Sequence, residues 1–163
     1  MRAKLACLSL LLMPVLCAAQ APSSPVQKPA TDGKVWGALI YASSGEAAAM
    51  AEGTPAELKD LPDRLGKVFD FTRFEIIGQH TQDVLRQYES WVVPSKDLFL
   101  KVDSKGPVDG EHEAMNLGVQ FWQGENVLVK TDVVLRRGSP LIVGGPKWRE
   151  GQLIFVLLLT KVE

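Results

Sequence analysis

The hydrophobic pattern changes its period along this chain, and each period predicts a different kind of element. Residues 35–41 and 153–159 are apolar at nearly every position, which predicts strands that are covered on both faces. Residues 71–78 are rich in aromatic and branched side chains and predict another strand. In three further segments nearly every second residue is apolar, which is typical of a strand with one buried face. These segments are residues 98–102, 117–122 and 127–135.

One segment has helical spacing instead. Thr54 with Glu57 resembles a capping box, and apolar side chains recur every three or four residues from Leu58 to Phe69. Pro62 interrupts this run because it lacks the N–H that a helix interior needs. Either the helix is kinked there, or a first turn ends and a second helix begins with Asp60 as its cap.

These elements predict one α+β domain over residues 34–163. We expect a mostly antiparallel sheet of about five or six strands, with one main helix packed on one face. The strand at 153–159 should lie near the centre beside 35–41, and residues 98–102 should form an edge because charge and proline surround them (Pro94, Lys96 and Lys101). An all-β sandwich is the alternative if the helix is marginal.

Turns and loops complete this prediction. Gln123–Asn126 reads as a hairpin turn and residues 105–113 as a polar loop. Residues 43–53 read as a loop with helical tendency, and Gly144-Gly145-Pro146 is the most conspicuous turn.

The N-terminus has the pattern of an export signal. Arg2 and Lys4 precede an apolar run from Leu5 to Leu16, and Cys17-Ala18-Ala19 ends in small residues. The run is shorter than the roughly 20 residues of a transmembrane helix. We therefore expect residues 1–19 to be cleaved, leaving a periplasmic or secreted protein with no transmembrane helix in the mature chain.

The start of the mature chain has alternatives. Cleavage at Gln20 is expected, and Pro22 is a less suitable first residue. A lipid anchor at Cys17 is a further alternative, disfavoured because Leu16 stands where lipoprotein signals have a small residue. The proline-rich residues 20–33 read as a disordered tether.

Cysteine content and charge exclude several classes of protein. Both cysteines, Cys7 and Cys17, lie in the leader, so a mature chain from Gln20 has neither disulfides nor a thiol nucleophile. The full chain has 18 Lys and Arg against 19 Asp and Glu. Without a basic excess, we do not expect nucleic-acid binding.

No pattern predicts a metal site or a cofactor. His112-Glu113 begins like a zinc-protease helix, but Asn116 replaces the second histidine. His80 is the chain's other histidine. The alternate acids Asp109, Glu111 and Glu113 lack the glycine and the final glutamate of an EF-hand.

Catalytic patterns are equally weak, and no catalytic residue is assigned. Ser43 and Ser44 lack the surroundings of a nucleophile elbow. Carboxylates near a loop, Glu46, Glu52 and Glu57, leave an exported hydrolase as an alternative. A small-ligand carrier is another, if an apolar cavity lies between helix and sheet.

Two basic loops are the candidate binding residues. Lys147-Trp148-Arg149 combines residue types that are common in binding hot spots. Arg136-Arg137 would add two positive charges if the fold brought the loops together. The expected function is a non-enzymatic envelope or secreted domain with a structural, assembly or protein-interaction role, which binds a protein or an envelope polymer through this loop or through an exposed sheet edge.

Overall fold

The computed structural model describes residues 29–162 and shows a β-sandwich of two four-stranded antiparallel sheets. The predicted α+β class with a main helix is therefore wrong. Sheet A has the order β2-β1-β8-β7, and sheet B has the order β3-β4-β5-β6. The strands are β1 (Thr31–Ser43), β2 (Arg73–Leu85), β3 (Glu89–Val92), β4 (Leu98–Val108), β5 (Glu111–Gln123), β6 (Asn126–Arg136), β7 (Leu141–Trp148) and β8 (Gly151–Val162).

The two continuous apolar segments lie side by side at the centre of sheet A. β1 pairs antiparallel with β8, with Leu39 opposite Phe155 and Ile40 opposite Ile154, which confirms the predicted neighbours. Both faces of this pair are buried. Alternate residues of β1 and β8 therefore belong to two different hydrophobic cores, one on each side of the sheet.

The structure has only one short helix where a helix over residues 58–69 was predicted, because Pro62 lies in the first turn and sets the start of that helix. A 3₁₀ turn covers Ala56–Leu58, and helix α1 covers Leu61–Gly66 with Asp60 as its N-cap. The helix is thus split rather than kinked, as one of the two alternatives required. The capping box does not form, because the Thr54 hydroxyl donates to the carbonyl of Ala51 (2.7 Å).

Helix α1 and the segment before it cover the outer face of sheet A. Leu58, Leu61 and Leu65 are fully buried there and pack against the outward residues of β1 and β8. Six residues of helix form only a patch on this sheet. A second sheet, not a helix, covers its other face.

Sheet B follows the alternating pattern, with one face buried and the other open to solvent. The predicted hairpin is confirmed, because Gln123 pairs with Asn126 across a two-residue turn. The predicted edge is wrong. β4 lies between β3 and β5, with Lys101 opposite Trp91 on one side and Gln120 on the other.

Two strands and one loop differ from the sequence-based prediction. β3 is too short to show a pattern, and β7 runs through the glycines and proline that indicated a turn, which instead form a bulge between Gly144 and Lys147. The predicted loop at 105–113 is mostly strand, because β4 continues to Val108 and β5 starts at Glu111.

The two sheets enclose the main core and are also joined by a polar contact. The rings of Phe121 in sheet B and Phe155 in sheet A meet edge to face, with centroids 3.8 Å apart. Asp32 is 6% exposed and accepts hydrogen bonds from Arg86 (2.7 Å) and from the Ser104 hydroxyl in β4 (2.6 Å). β1 starts at Thr31, so residues 31–33 of the segment that was predicted to be a tether are part of a strand.

Candidate functional site

The turn between β7 and β8 places Trp148 at one end of the sandwich. Trp148 pairs with Gly151 across Arg149 and Glu150, and Arg149 has a φ of +53°, an uncommon conformation for a residue other than glycine. Gly151 lies so close to β1 that a β-carbon would overlap the carbonyl oxygen of Ala42. The glycine therefore lets the turn pack directly against β1.

Two neighbours hold the indole of Trp148 in place. The ring of Tyr41 meets it edge to face, with centroids 5.0 Å apart. The guanidinium carbon of Arg149 lies 4.1 Å from the Trp148 ring centroid, within the range of a cation–π contact. Trp148 is nevertheless 36% exposed, so an oriented aromatic surface faces solvent.

A cleft of about 310 Å³ opens beside Trp148, between the ends of the two sheets. We call it the end cleft. Its floor consists of Leu39 and Leu153 from sheet A and Leu98 from sheet B, which are at most 5% exposed. Its rim includes Ile77, Ser95, Asp97, Gln123, Lys147 and Trp148.

The rim on the sheet B side is fixed by hydrogen bonds. The Ser95 hydroxyl oxygen accepts from the backbone N–H of Leu98 (3.0 Å), and the Asp97 carbonyl accepts from the N–H of Gly124 (2.8 Å). Lys147 and Asp97 give the rim charges of both signs. An apolar floor with a few polar groups around it is the usual composition of a small binding site.

The second basic loop lies at the opposite end of β7. Arg136 and Arg137 precede this eight-residue strand and Lys147 and Arg149 are at its far end, a separation on the order of 20 Å at the usual rise of an extended strand. The four cations therefore do not form one cluster.

Arg136 and Arg137 are also engaged in ion pairs. Arg136 donates two hydrogen bonds to Glu111 (2.8 and 3.0 Å), and Arg137 donates one to Glu113 (2.9 Å). The hydrogen bond from Arg136 lowers the pKa of Glu111. Two of the three alternate acids, Glu111 and Glu113, are therefore paired with arginines.

The histidines are far from a metal-binding arrangement. His80 lies within β2, where its Nδ1 accepts from the N–H of Val93 (3.1 Å). His112 is exposed near the start of β5, and the Asn116 amide on that strand donates to the Pro107 carbonyl (3.3 Å). Among residues 29–162, no three His, Cys, Asp or Glu side chains lie close enough together to hold a metal ion.

The candidate catalytic side chains are exposed, with the exception of Ser43. Ser43 ends β1 and is buried, whereas Ser44 is exposed. Glu46, Glu52 and Glu57 are all exposed. In the described part of the chain Asp32 is the one buried carboxylate, and it joins the two sheets.

The signal-peptide and Cys17 predictions fall outside the described residues, and so does the tether as far as residue 28. Within residues 29–162, no helix is long and apolar enough to cross a membrane.

Sequence reasoning selected the Trp148 loop but missed the end cleft that adjoins it. The cleft takes its lining from six strands and their connections in both sheets, including Ile77, Asp97 and Gln123. No local spacing connects these positions, since each one looks like an ordinary strand end or turn. Only the pairing of the sheets brings them together.

No protein-family model, no curated protein and no solved structure matches the chain.

Proposed function

We infer that this protein is an exported, non-enzymatic binding domain that holds an apolar group of a protein or an envelope polymer in the end cleft. The observation that carries this proposal is the cleft itself, with a leucine floor and Trp148 fixed on its rim. Export is proposed from the N-terminal pattern of charge, apolar run and small residues.

The chemistry of the cleft favours an apolar group. Side chains from Leu39, Leu98 and Leu153 offer no hydrogen bonds, so an apolar group that enters gains by leaving water. Trp148 adds a large rigid surface whose position is already set by Tyr41 and Arg149. Preorganisation of this kind reduces the entropy that binding costs.

The polar rim supports orientation rather than strong electrostatic attraction. Lys147 and Asp97 lie on the same rim with opposite charges, so neither strongly anionic nor strongly cationic ligands are favoured overall. Hydrogen bonds to the rim would fix how the apolar group enters. The floor and Trp148 therefore provide the affinity for the apolar group, and the polar rim sets its orientation.

A hydrophobic fluorescent probe tests whether the cleft binds apolar groups. We expect 1-anilinonaphthalene-8-sulfonate to gain fluorescence with the wild-type protein, and Ile77→Trp to reduce this gain severalfold by filling the rim. Ile77 is 42% exposed, so a larger side chain at this position can be accommodated without disrupting the fold. Val68→Trp, at a position that is 68% exposed and away from the cleft, is the matched control.

Recovery of a partner from envelope extract tests the biological role. Trp148→Ala and Ile77→Trp should both lower the recovery of any specific partner, whereas Val68→Trp should not. If both rim variants recover the same partners as wild type and bind the probe equally well, the end cleft is not the binding site.

A small-ligand carrier is the second candidate, favoured by the volume of the cleft. About 310 Å³ lies at the lower end of the range for small-molecule sites. The cleft lies between the ends of the sheets, not between helix and sheet as the sequence suggested for a carrier. Native mass spectrometry of the protein purified from cells separates the candidates, because a carrier retains a small molecule that Ile77→Trp loses.

A further inference from the structure

The four outer strands of the two sheets differ in how well their free edges are protected. An unprotected edge presents unpaired N–H and C=O groups that can pair with another chain. β2 and β3 shield each other: a β-carbon on Gly78 would overlap the carbonyl of Pro94, and the Val93 N–H donates to His80 Nδ1 (3.1 Å). These two edges are therefore closed by neighbouring segments of the same chain.

β7 is protected by its sequence and by side chains. The bulge between Gly144 and Lys147 breaks the regular strand, and Pro146 has no N–H to offer. The Gln152 amide donates to the Gly145 carbonyl (2.9 Å). The position of a β-carbon on Gly144 would lie 3.4 Å from the ring of Phe69, so this edge is partly covered as well.

β6 is less protected: its one irregularity is a register shift against β5 that leaves Leu128 bulged between Val127 and Val129. It has eleven residues without proline or glycine, and β5 is the only strand that pairs with residues 126–135 among those the structure describes. Residues 126–132 are all exposed. Four large apolar side chains on this strand are 42–45% exposed: Val127, Leu128, Val129 and Val134. A long apolar edge of this kind is a site for strand addition.

We propose that β6 pairs antiparallel with β6 of a second copy of this chain, about a twofold axis at Thr131. This inference concerns a different surface from the end cleft and does not depend on the proposed function. It makes one continuous eight-stranded sheet from two copies of sheet B.

The charges of β6 select the second copy as the partner and Thr131 as the centre. In that register Lys130 of each copy lies opposite Asp132 of the other, and Val129 lies opposite Val133. A centre at residue 130 would place Lys130 opposite itself, and a centre at 132 would do the same with Asp132. Like charges directly opposite each other destabilise a strand pair, and opposite charges stabilise it.

The inner face of the strand carries no charge that would oppose this pairing. The register with β5 places Val129, Thr131 and Val133 on the same face as Phe121, Val119 and Leu117. Charged side chains that point inward protect many natural edges. Here the three charged side chains of the strand, Lys130, Asp132 and Arg136, alternate with this face and lie on the outer one.

Charge reversal tests both the dimer and its register. We expect sedimentation analysis over about 1 μM to about 1 mM to show a wild-type dimer, with Lys130→Glu and Asp132→Lys each weakening it about tenfold or more. An equimolar mixture of the two variants should form a heterodimer, because each copy then offers the charges that the other lacks. The circular dichroism of each variant should match wild type.

Lys105 requires a control, because its ammonium group lies 2.6 Å from Asp132 in the same copy. Asp132→Lys removes that ion pair as well as the contact between copies. Lys105→Ala removes only the former and should leave the dimer unchanged. A loss of dimer in Lys105→Ala equal to that in Asp132→Lys would contradict the register.

A disulfide test locates the axis directly. With Cys7 and Cys17 replaced by serine, Thr131→Cys should form a crosslinked dimer under mild oxidation, since residues on the axis have β-carbons about 4.5–5.5 Å apart. Val134→Cys is the matched control. It lies opposite Leu128 of the other copy and should not crosslink to itself.

The proposal is overturned if wild type stays monomeric over that concentration range, which leaves the edge to a strand of another protein. It is also overturned if a dimer forms but the mixture of charge variants does not recover it, or if Val134→Cys crosslinks as readily as Thr131→Cys.

Discussion

Sheet A and sheet B have the same number of strands, but they differ in how many of their faces are covered. The central strands of sheet A are buried on both sides, with Leu157 facing sheet B and Leu158 facing helix α1. Sheet B is buried only on its inner face. Its outer face carries charged residues and a group of half-buried aromatic rings, Trp91, Phe99 and Trp122, whose centroids lie 5.6–6.4 Å apart.

This difference shows how the same secondary structure can serve two purposes. Sheet A is the stable centre, because each residue of β8 from Leu153 to Leu159 enters one core or the other. Sheet B supplies an open face and the exposed strand β6. The two surfaces proposed above as binding sites accordingly lie on sheet B and at one end of the sandwich.

The largest expected difference in stability appears when one side chain is removed from the outer face of each sheet in turn. Leu158→Ala should lower the free energy of unfolding by about 2–5 kcal/mol, because the fully buried leucine leaves a cavity under helix α1. Gln120→Ala, on the outer face of sheet B, should stay within about 0.5 kcal/mol. Urea unfolding measures both, and similar losses at the two positions would mean that the faces are not so different.

A smaller effect should come from separating the sheets at their polar contact. Asp32→Ala removes the acceptor of the Ser104 hydroxyl and of Arg86, and should cost about 1–3 kcal/mol. Ser104→Ala should cost about 0.5–1.5 kcal/mol, since Asp32 keeps Arg86. The double variant gives the coupling between sheets, and strict additivity would show that the Asp32–Ser104 contact does not join them.

The smallest effect concerns the exposed ion pair at one end of sheet B. The hydrogen bond from Arg136 lowers the pKa of Glu111 below its usual 4.5. The contact therefore stabilises the fold above that pH, and its contribution is lost as the pH falls through the lowered pKa of the folded state. Wild type should lose more of its melting temperature between pH 7 and pH 3 than Glu111→Gln does.

Glu125→Gln, in the exposed turn between β5 and β6, is the control for that measurement. It should follow wild type across the acid range. If Glu111→Gln and Glu125→Gln both follow wild type, the Arg136 contact contributes nothing measurable to the stability of sheet B.

Much of the β structure could be predicted from the sequence because its signals are local. The continuous apolar residues in 35–41 and 153–159 predicted that these two strands are neighbours. The alternating pattern predicted strands with one open face, which are found in sheet B. Pro62 marked where the helix divides, although the stripe around it was read as a longer helix than the proline permits. β3 and β7 were missed because four residues show no period and because glycine and proline at a bulge resemble a turn.

By itself the sequence determined the centres of the strands other than β3 and β7, where the hairpin at Gln123–Asn126 turns, and which segments are covered on both sides. These follow from the two-residue period of a strand and from turn chemistry, which act over a few residues. The tertiary structure alone decided that there are two sheets rather than one, that β6 rather than 98–102 is an open edge, and that a cleft forms beside Trp148. Each of these depends on which distant strands pair, and side-chain periodicity does not determine that choice beyond placing the two doubly covered segments side by side.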